Sequence, residues 1–168
     1  MAGSGRGSPF HSLGVIRVER ASITDAPRVS TLIRGLSEPF FLLPCGEGAE
    51  PFLTAINEAS VRSYILAGNF SYFVAEAEGQ LIGVVAMRDN SHLYHLFIEQ
   101  SFQGKGVARE LWHFIKAKAI QAGNPGKFTV NSSLNAVLVY ERFGFKVSGP
   151  KVEMHGIAFQ PMQLVEAG

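Results

Sequence analysis

The chain has 168 residues, 46% of them hydrophobic and 17% charged, which excludes a disordered protein and suits one domain with a sizeable core. Fifteen basic against fourteen acidic residues leave a formal net charge of +1, so no broad basic field recommends nucleic acid as a partner. The single cysteine, Cys45, excludes an internal disulfide and a cysteine-based zinc cluster, and no apolar run approaches the ~20 residues of a membrane span.

From Met1 to about Leu13 the sequence is rich in glycine and serine and has no apolar signal segment. Residues 1–13 are therefore expected to form a flexible tail, and the protein to be cytoplasmic. Arg6 alone is thin support for an organelle transit peptide. Val15 to Val18 is a short β-rich run. Thr24 suits a helix N-cap, with Asp25 and Pro27 in the first turn, and Val29, Leu32, Ile33 and Leu36 recur at helical spacing. Residues 37–50 are broken by Pro39, Pro44, Gly46 and Gly48 yet carry Phe40, Phe41, Leu42 and Leu43. An apolar segment that cannot be regular is expected to fold onto the core as a loop or to wall a pocket. A second helix is expected to end near Leu66.

Three β-like runs follow, Ser71 to Ala77, Leu81 to Arg88 and His92 to Glu99, the first two joined by Glu78-Gly79-Gln80. The spacing predicts a helix from about Gly106 to Gln121, with Val107, Leu111, Phe114, Ile115 and Ala119 on one stripe. Phe128 to Val130 reads as a strand, Leu134 to Phe143 as a short helix, and Phe145 to Val147 and Ile157 to Leu164 as closing strands. No repeat or linker divides residues 14–168, so one α+β domain with a mixed sheet is expected.

The chemistry lies in Leu96 to Ala108, where a strand ends, a glycine-rich turn follows and an apolar-periodic helix begins. Such a turn can aim several backbone N–H groups at one anion, the helix N-terminus adds its positive dipole end, and Lys105 adds a formal charge. The pattern is not a nucleotide P-loop, which needs Gly-x-x-x-x-Gly-Lys followed by Ser or Thr. It is not a dinucleotide fingerprint either, because Arg109 stands where the third glycine belongs. On spacing alone, Gly104 and Gly106 could equally make only a strand–helix turn.

Gln103-x-x-Gly106-x-Ala108 resembles the Gln/Arg-x-x-Gly-x-Gly/Ala signature of the GNAT superfamily of N-acetyltransferases. Asn135 and Tyr140-Glu141-Arg142-Phe143-Gly144-Phe145 resemble that family's Asn…Tyr-Glu-x-x-Gly-Phe segment, in the right order and spacing. The resemblance covers roughly residues 15–165. It implies the acyl-CoA N-acyltransferase fold, a mostly antiparallel mixed sheet flanked by about four helices, with acetyl-CoA as co-substrate and no metal. It also implies direct transfer of acetyl to an amine acceptor within a ternary complex.

Residue by residue, the resemblance implies a central strand that splays from its neighbour, so that the backbone of Leu96, Phe97 and Ile98 pairs with the pantetheine arm. Gln103, Gly104, Lys105, Gly106, Val107 and Ala108 would hold the pyrophosphate, and Asn135 would contact the pantetheine. Tyr140 would protonate the departing thiolate, a transfer that a phenol with pKa ~10 can make to a thiolate near ~8.5. The base is expected on the central strand at His92, with Tyr94 on the same face by alternation and His95 on the other. Glu76 is the reserve candidate, and Glu99 is expected to flank the cofactor. An acetyl-cysteine route through Cys45 is not expected.

The resemblance implies an acceptor side at loop 37–50, whose aromatic wall and Glu38, Glu47 and Glu50 suit an amine with an apolar or aromatic portion; a peptide N-terminus or a lysine side chain is equally allowed. Neither nucleic acid nor membrane is expected as a partner, and Lys105, Arg109, Lys116 and Lys118 are more simply a phosphate site with a solvated helix face. Phe159 and Met162 could belong to a homodimer interface or to the core. A non-catalytic acetyl-CoA-binding module of the same fold is the alternative to an enzyme, and only catalysis demands Tyr140 and a base.

Overall fold

The computed structural model describes residues 16–166. Its strands are β1 (Ile16–Arg20), β2 (Phe70–Ala77), β3 (Gln80–Arg88), β4 (His92–Ile98), β5 (Lys127–Ser132), β6 (Lys146–Val147), β7 (Val152–Met154) and β8 (Ile157–Val165). Its helices are α1 (Ala26–Gly35), α2 (Glu50–Ala55), α3 (Glu58–Leu66), α4 (Val107–Gln121) and α5 (Val137–Arg142). The main sheet runs β1-β2-β3-β4-β5-β8-β6, with β7 paired to β8 beyond that path. Every pairing is antiparallel except β4 with β5.

Two apolar layers cover the two faces. Residues Ile82 to Met87 of β3 are all buried, as expected of a strand covered on both sides. On one face α4 lays down Val107, Leu111, Trp112, Ile115 and Ala119, spaced for one helical stripe, against Leu93, Ile98, Phe128 and Phe145. On the other, α1 and α3 bring Val29, Ile33 and Val61 onto Tyr72, Val74, Val84 and Ala86.

Several expectations need correction. Thr24 is not the cap: Ser22, two residues earlier, donates its backbone N–H to the Asp25 carboxylate at 2.8 Å, and Ile23–Asp25 form a 3₁₀ turn ahead of α1. Among the described residues five helices flank the sheet of the expected α+β fold, and α2 occupies Glu50–Ala55 with Pro51 in its first turn, a position that loses nothing by lacking an N–H. An eighth strand, β7, forms a hairpin with β8. Met162 is fully buried in the α4-side core, which removes it from any interface, whereas Phe159 is half-buried. The expected tail, residues 1–13, lies outside the described residues. Among those described, no helix is long and apolar enough to cross a membrane.

Candidate active site

β4 and β5 pair only at His92↔Thr129 and Leu93↔Val130, and then diverge. From Tyr94 onward the backbone edge of β4 faces a cavity of about 630 Å³ instead of a strand. The structure thus opens the sheet at the place that the sequence assigned to Leu96, Phe97 and Ile98, and all three border the cavity. Gln103 closes the strand by donating from Nε2 to the Ile98 carbonyl at 2.9 Å.

Beyond it the chain turns into α4. Gly104 and Gly106 have φ of 74° and 87°, the left-handed region that side chains rarely adopt, and a Cβ built on either would meet nothing within 4 Å. The glycines are therefore required by backbone conformation, and they leave open space at the N-terminus of α4, where Gly106 is the N-cap. Gln103, Gly104, Gly106, Val107 and Ala108 border the cavity; Lys105 does not, and its Nζ lies 5.6 Å from the Phe102 ring centroid.

The opposite wall comes from α5 and the turn before it, with Asn135, Val139, Tyr140 and Arg142 on the cavity. Tyr140 is 8% exposed, packed edge-on to Phe143 and Phe145, and its hydroxyl makes no hydrogen bond among the described residues. Burial raises its pKa above the ordinary tyrosine range, so it is a protonated donor at neutral pH. Arg109, read from the sequence as part of a phosphate site, borders the cavity, and so does Arg142, which the sequence reading did not assign.

The third wall is the C-terminal end of α1 and the turn after it, with Gly35, Leu36, Glu38 and Phe40. Phe40 packs on Phe52 and Phe97 at 5.4 and 6.4 Å between ring centroids. Glu38 is the one carboxylate on the cavity wall among the described residues. Glu47 caps the Cys45 N–H and Glu50 lies near the Gly48 N–H, so both serve their own loop. That loop is fastened to the β7–β8 hairpin. Leu42 donates to the Gly156 carbonyl at 2.9 Å, and Phe41 bridges Ile157. Gly156 sits so close that a Cβ there would come within 2.4 Å of the Gly48 carbonyl carbon.

The expected bases fall in unequal places. His92 does not border the cavity, and its Nδ1 lies 2.7 Å from Thr129 Oγ1. Burial, then the Arg88 guanidinium, lower its pKa to about 4. Glu76 is ion-paired with Arg28, and Glu99 caps Ser101, so neither faces the cavity. His95 corrects the expectation that it points away from Tyr94. The register slips between Ala86↔His95 and Met87↔Leu93, which makes Tyr94 an unpaired, bulged residue. The bulge turns Tyr94 and His95 to the same face, their ring centroids 4.5 Å apart. There His95 Nδ1 meets the Tyr72 hydroxyl at 2.7 Å, and burial lowers the imidazole pKa to about 3.

A family model described as the acetyltransferase (GNAT) domain matches residues 43–166. The fold is shared with the GCN5-related N-acetyltransferase "aminotransferase, class-II" of Rhodopseudomonas palustris, at TM-score 0.74 and 18% identity over 89% of this chain and 95% of that one. It is shared with the PaiA N-acetyltransferase of Thermoplasma acidophilum in complex with coenzyme A, at 0.70 and 15% over 90% and 99%. The ribosomal-protein-S18-alanine N-acetyltransferase of Escherichia coli matches at 0.65 and 15% over 91% and 96%. The chain belongs to the GNAT acetyltransferases, and it is an acyltransferase of the acetyl-CoA-dependent kind.

Proposed function

We propose that the protein moves the acetyl group of acetyl-CoA directly onto the nitrogen of a small amine with an apolar or aromatic body, both substrates bound at once. The observation that carries this reading is the divergence of β4 from β5 beside Tyr140. It leaves backbone N–H and C=O groups, open space at the α4 N-terminus and a protonated phenol around one cavity. The thioester supplies an acetyl group already activated for transfer.

In this reading Leu96, Phe97 and Ile98 pair with the pantetheine arm through their backbone, and Asn135 contacts it from the other wall. The turn Gln103 to Ala108 receives the pyrophosphate on backbone N–H groups, with the α4 dipole aligned to favour negative charge. Lys105, off the wall, acts at longer range, while Arg109 and Arg142 flank the opening with direct positive charge. As the C–N bond forms and the C–S bond breaks, Tyr140 donates its proton to the sulfur.

The acceptor lies between Phe40, Phe97 and Tyr94, where Glu38 and the carbonyl end of α1 favour a cation. The amine must lose a proton before attack. Glu38 receives the ammonium at the wall, and the amine's proton leaves to bulk solvent; His92, off the cavity and with its pKa lowered to about 4, is too weak a base to take it.

Calorimetric titration with acetyl-CoA, beside Gly106→Glu, tests the cofactor half. Binding by the wild type, weakened more than about 100-fold in a variant whose circular dichroism is unchanged, supports it; carboxylate charge and bulk would then occupy the phosphate opening. No binding by the wild type overturns it. A panel of 2-phenylethylamine, spermidine, a short peptide with a free N-terminus and an α-blocked lysine tests the acceptor half. Activity on spermidine alone would overturn the apolar acceptor.

A further inference from the structure

Of the four basic residues in α4 and the turn before it, Lys105 and Arg109 stand at its start, and Lys116 is ion-paired with Glu166 at 2.8 Å. Lys118 shares neither place. It lines a second cavity, of about 320 Å³, between the C-terminal end of α4 and the strands β1 to β3. Since α4 is 15 residues long, this cavity lies about 22 Å along the helix from the opening at Gly106. Its buried lining residues, Met87, Ile115 and Ala119, are apolar. Its rim is polar, with Arg20, Ser71, Lys118 and Gln121.

The charge on that rim is uncompensated. The Arg20 guanidinium stands 5.0 Å and the Lys118 ammonium 5.6 Å from the centroid of the same ring, Phe73. Among the described residues neither makes an ion pair, and no carboxylate lines the cavity. Asp89, in the adjoining turn, faces Asn69 and Arg88 instead. The Ser71 hydroxyl and the Gln121 amide likewise have no hydrogen-bond partner among the described residues. Two like charges over one ring repel each other, and an anion between them is attracted by both. The helix end does not oppose this, although a C-terminus ordinarily favours cations. The carbonyls of Lys118 and Ile120 accept from the N–H groups of Ala122 and Gly123, and those of Ala119 and Ala122 from the Asn90 amide.

We propose that this second cavity binds a small organic oxyanion, a phosphate monoester or carboxylate with a short apolar body, at a site separate from the acetyl-CoA opening. Arg20 offers a planar fork that matches two oxygens, Lys118 offers a point charge across from it, and Ser71 and Gln121 donate from the sides. The body of the ligand lies on Met87 and Ile115, where apolar contact adds to the charge attraction. A neutral molecule of the same shape lacks the first attraction, and a bare inorganic anion lacks the second. The inference does not depend on the acceptor reading above.

The test is calorimetric titration of the full chain with phenyl phosphate, benzoate, inorganic phosphate and benzyl alcohol, each with and without saturating acetyl-CoA. Phenyl phosphate or benzoate should bind about tenfold more tightly than inorganic phosphate, equally well in both conditions, and benzyl alcohol should not bind. The tighter of the two names the oxyanion. Arg20→Gln and Lys118→Gln should each weaken that binding about tenfold, with Tm and acetyl-CoA affinity at their wild-type values. Lys116→Gln should leave it unchanged, because Glu166 already holds that ammonium. Both rim cations are exposed, and should one variant lose Tm the other decides. Binding that acetyl-CoA displaces would put the anion in the cofactor opening and overturn the inference. So would an equal loss in Lys116→Gln, which is the mark of general surface charge, or the failure of both organic anions to bind.

Discussion

The edge of β4 and the face of β4 are built on different principles. The edge, with the turn into α4, presents backbone: the side of β4 that β5 no longer pairs, along Leu96 to Ile98, then left-handed glycines at 104 and 106. The face presents side chains drawn from distant segments, with Phe40, Tyr64, Phe70, Tyr94, His95 and Phe97 within ring contact of one another. A surface made of backbone tolerates many neighbouring sequences and takes a ligand common to a whole family. A surface made of side chains is specific to the chain that carries it. In the proposed reading, the cofactor and the acceptor are recognised by two separable halves of one strand.

Separability can be broken by experiment. The largest effect is expected for Tyr140→Phe, which keeps the ring packed on Phe143 and Phe145 and removes only the donor. Its kcat should fall about 100-fold or more while acetyl-CoA affinity stays at the wild-type value in calorimetry. An unchanged kcat would remove Tyr140 from the chemistry. Because burial raises the Tyr140 pKa, its donor proton should cause no alkaline decline in kcat up to pH 10.

Next in size, Phe40→Ala strips an aromatic wall from the acceptor side. It should raise KM for an arylalkyl amine about tenfold and leave acetyl-CoA binding alone. Arg142→Ala should do the converse, weakening acetyl-CoA about threefold to fivefold and reducing the salt dependence of binding, with acceptor KM unchanged. Crossed effects in either variant would mean that the two halves are coupled.

The smallest effect concerns the fold. His92 and His95 have pKa values lowered to about 4 and about 3, whereas an unfolded chain titrates histidine near ~6.5. Between those values the unfolded state binds more protons, so stability is complete above about pH 6.5 and declines as pH falls toward 4. Tm followed across pH 4–7 should show that decline, with a shallower slope in His95→Asn. Equal slopes would place the acid sensitivity elsewhere.

The same division explains what could be read from the sequence. Gly104, Gly106, Asn135 and Tyr140 lie in short segments whose chemistry is local, and the structure brings them to one cavity with the edge of β4. The face was harder to read, because alternation along a strand assumes an unbroken register. One bulged residue, Tyr94, moves His95 across the sheet, and nothing in the run His92 to Ile98 announces it. Glu76 looked free because its partner, Arg28, is on another element far away in the chain. α2 was hidden among prolines and glycines, although Pro51 in a first turn is a start signal.

Gly156 carries a consequence for how the molecule is made. The wall that bears Glu38 and Phe40 hangs from a backbone contact between Gly48 and Gly156 that leaves no room for a Cβ. A chain emerging from synthesis holds Gly48 long before Gly156 exists, and closing so long a loop is among the slower entropic steps of folding. The local glycine turn before α4 needs no such wait. The acceptor wall of the proposed reading therefore depends on a contact of long sequence separation, which the glycine turn before α4 does not need.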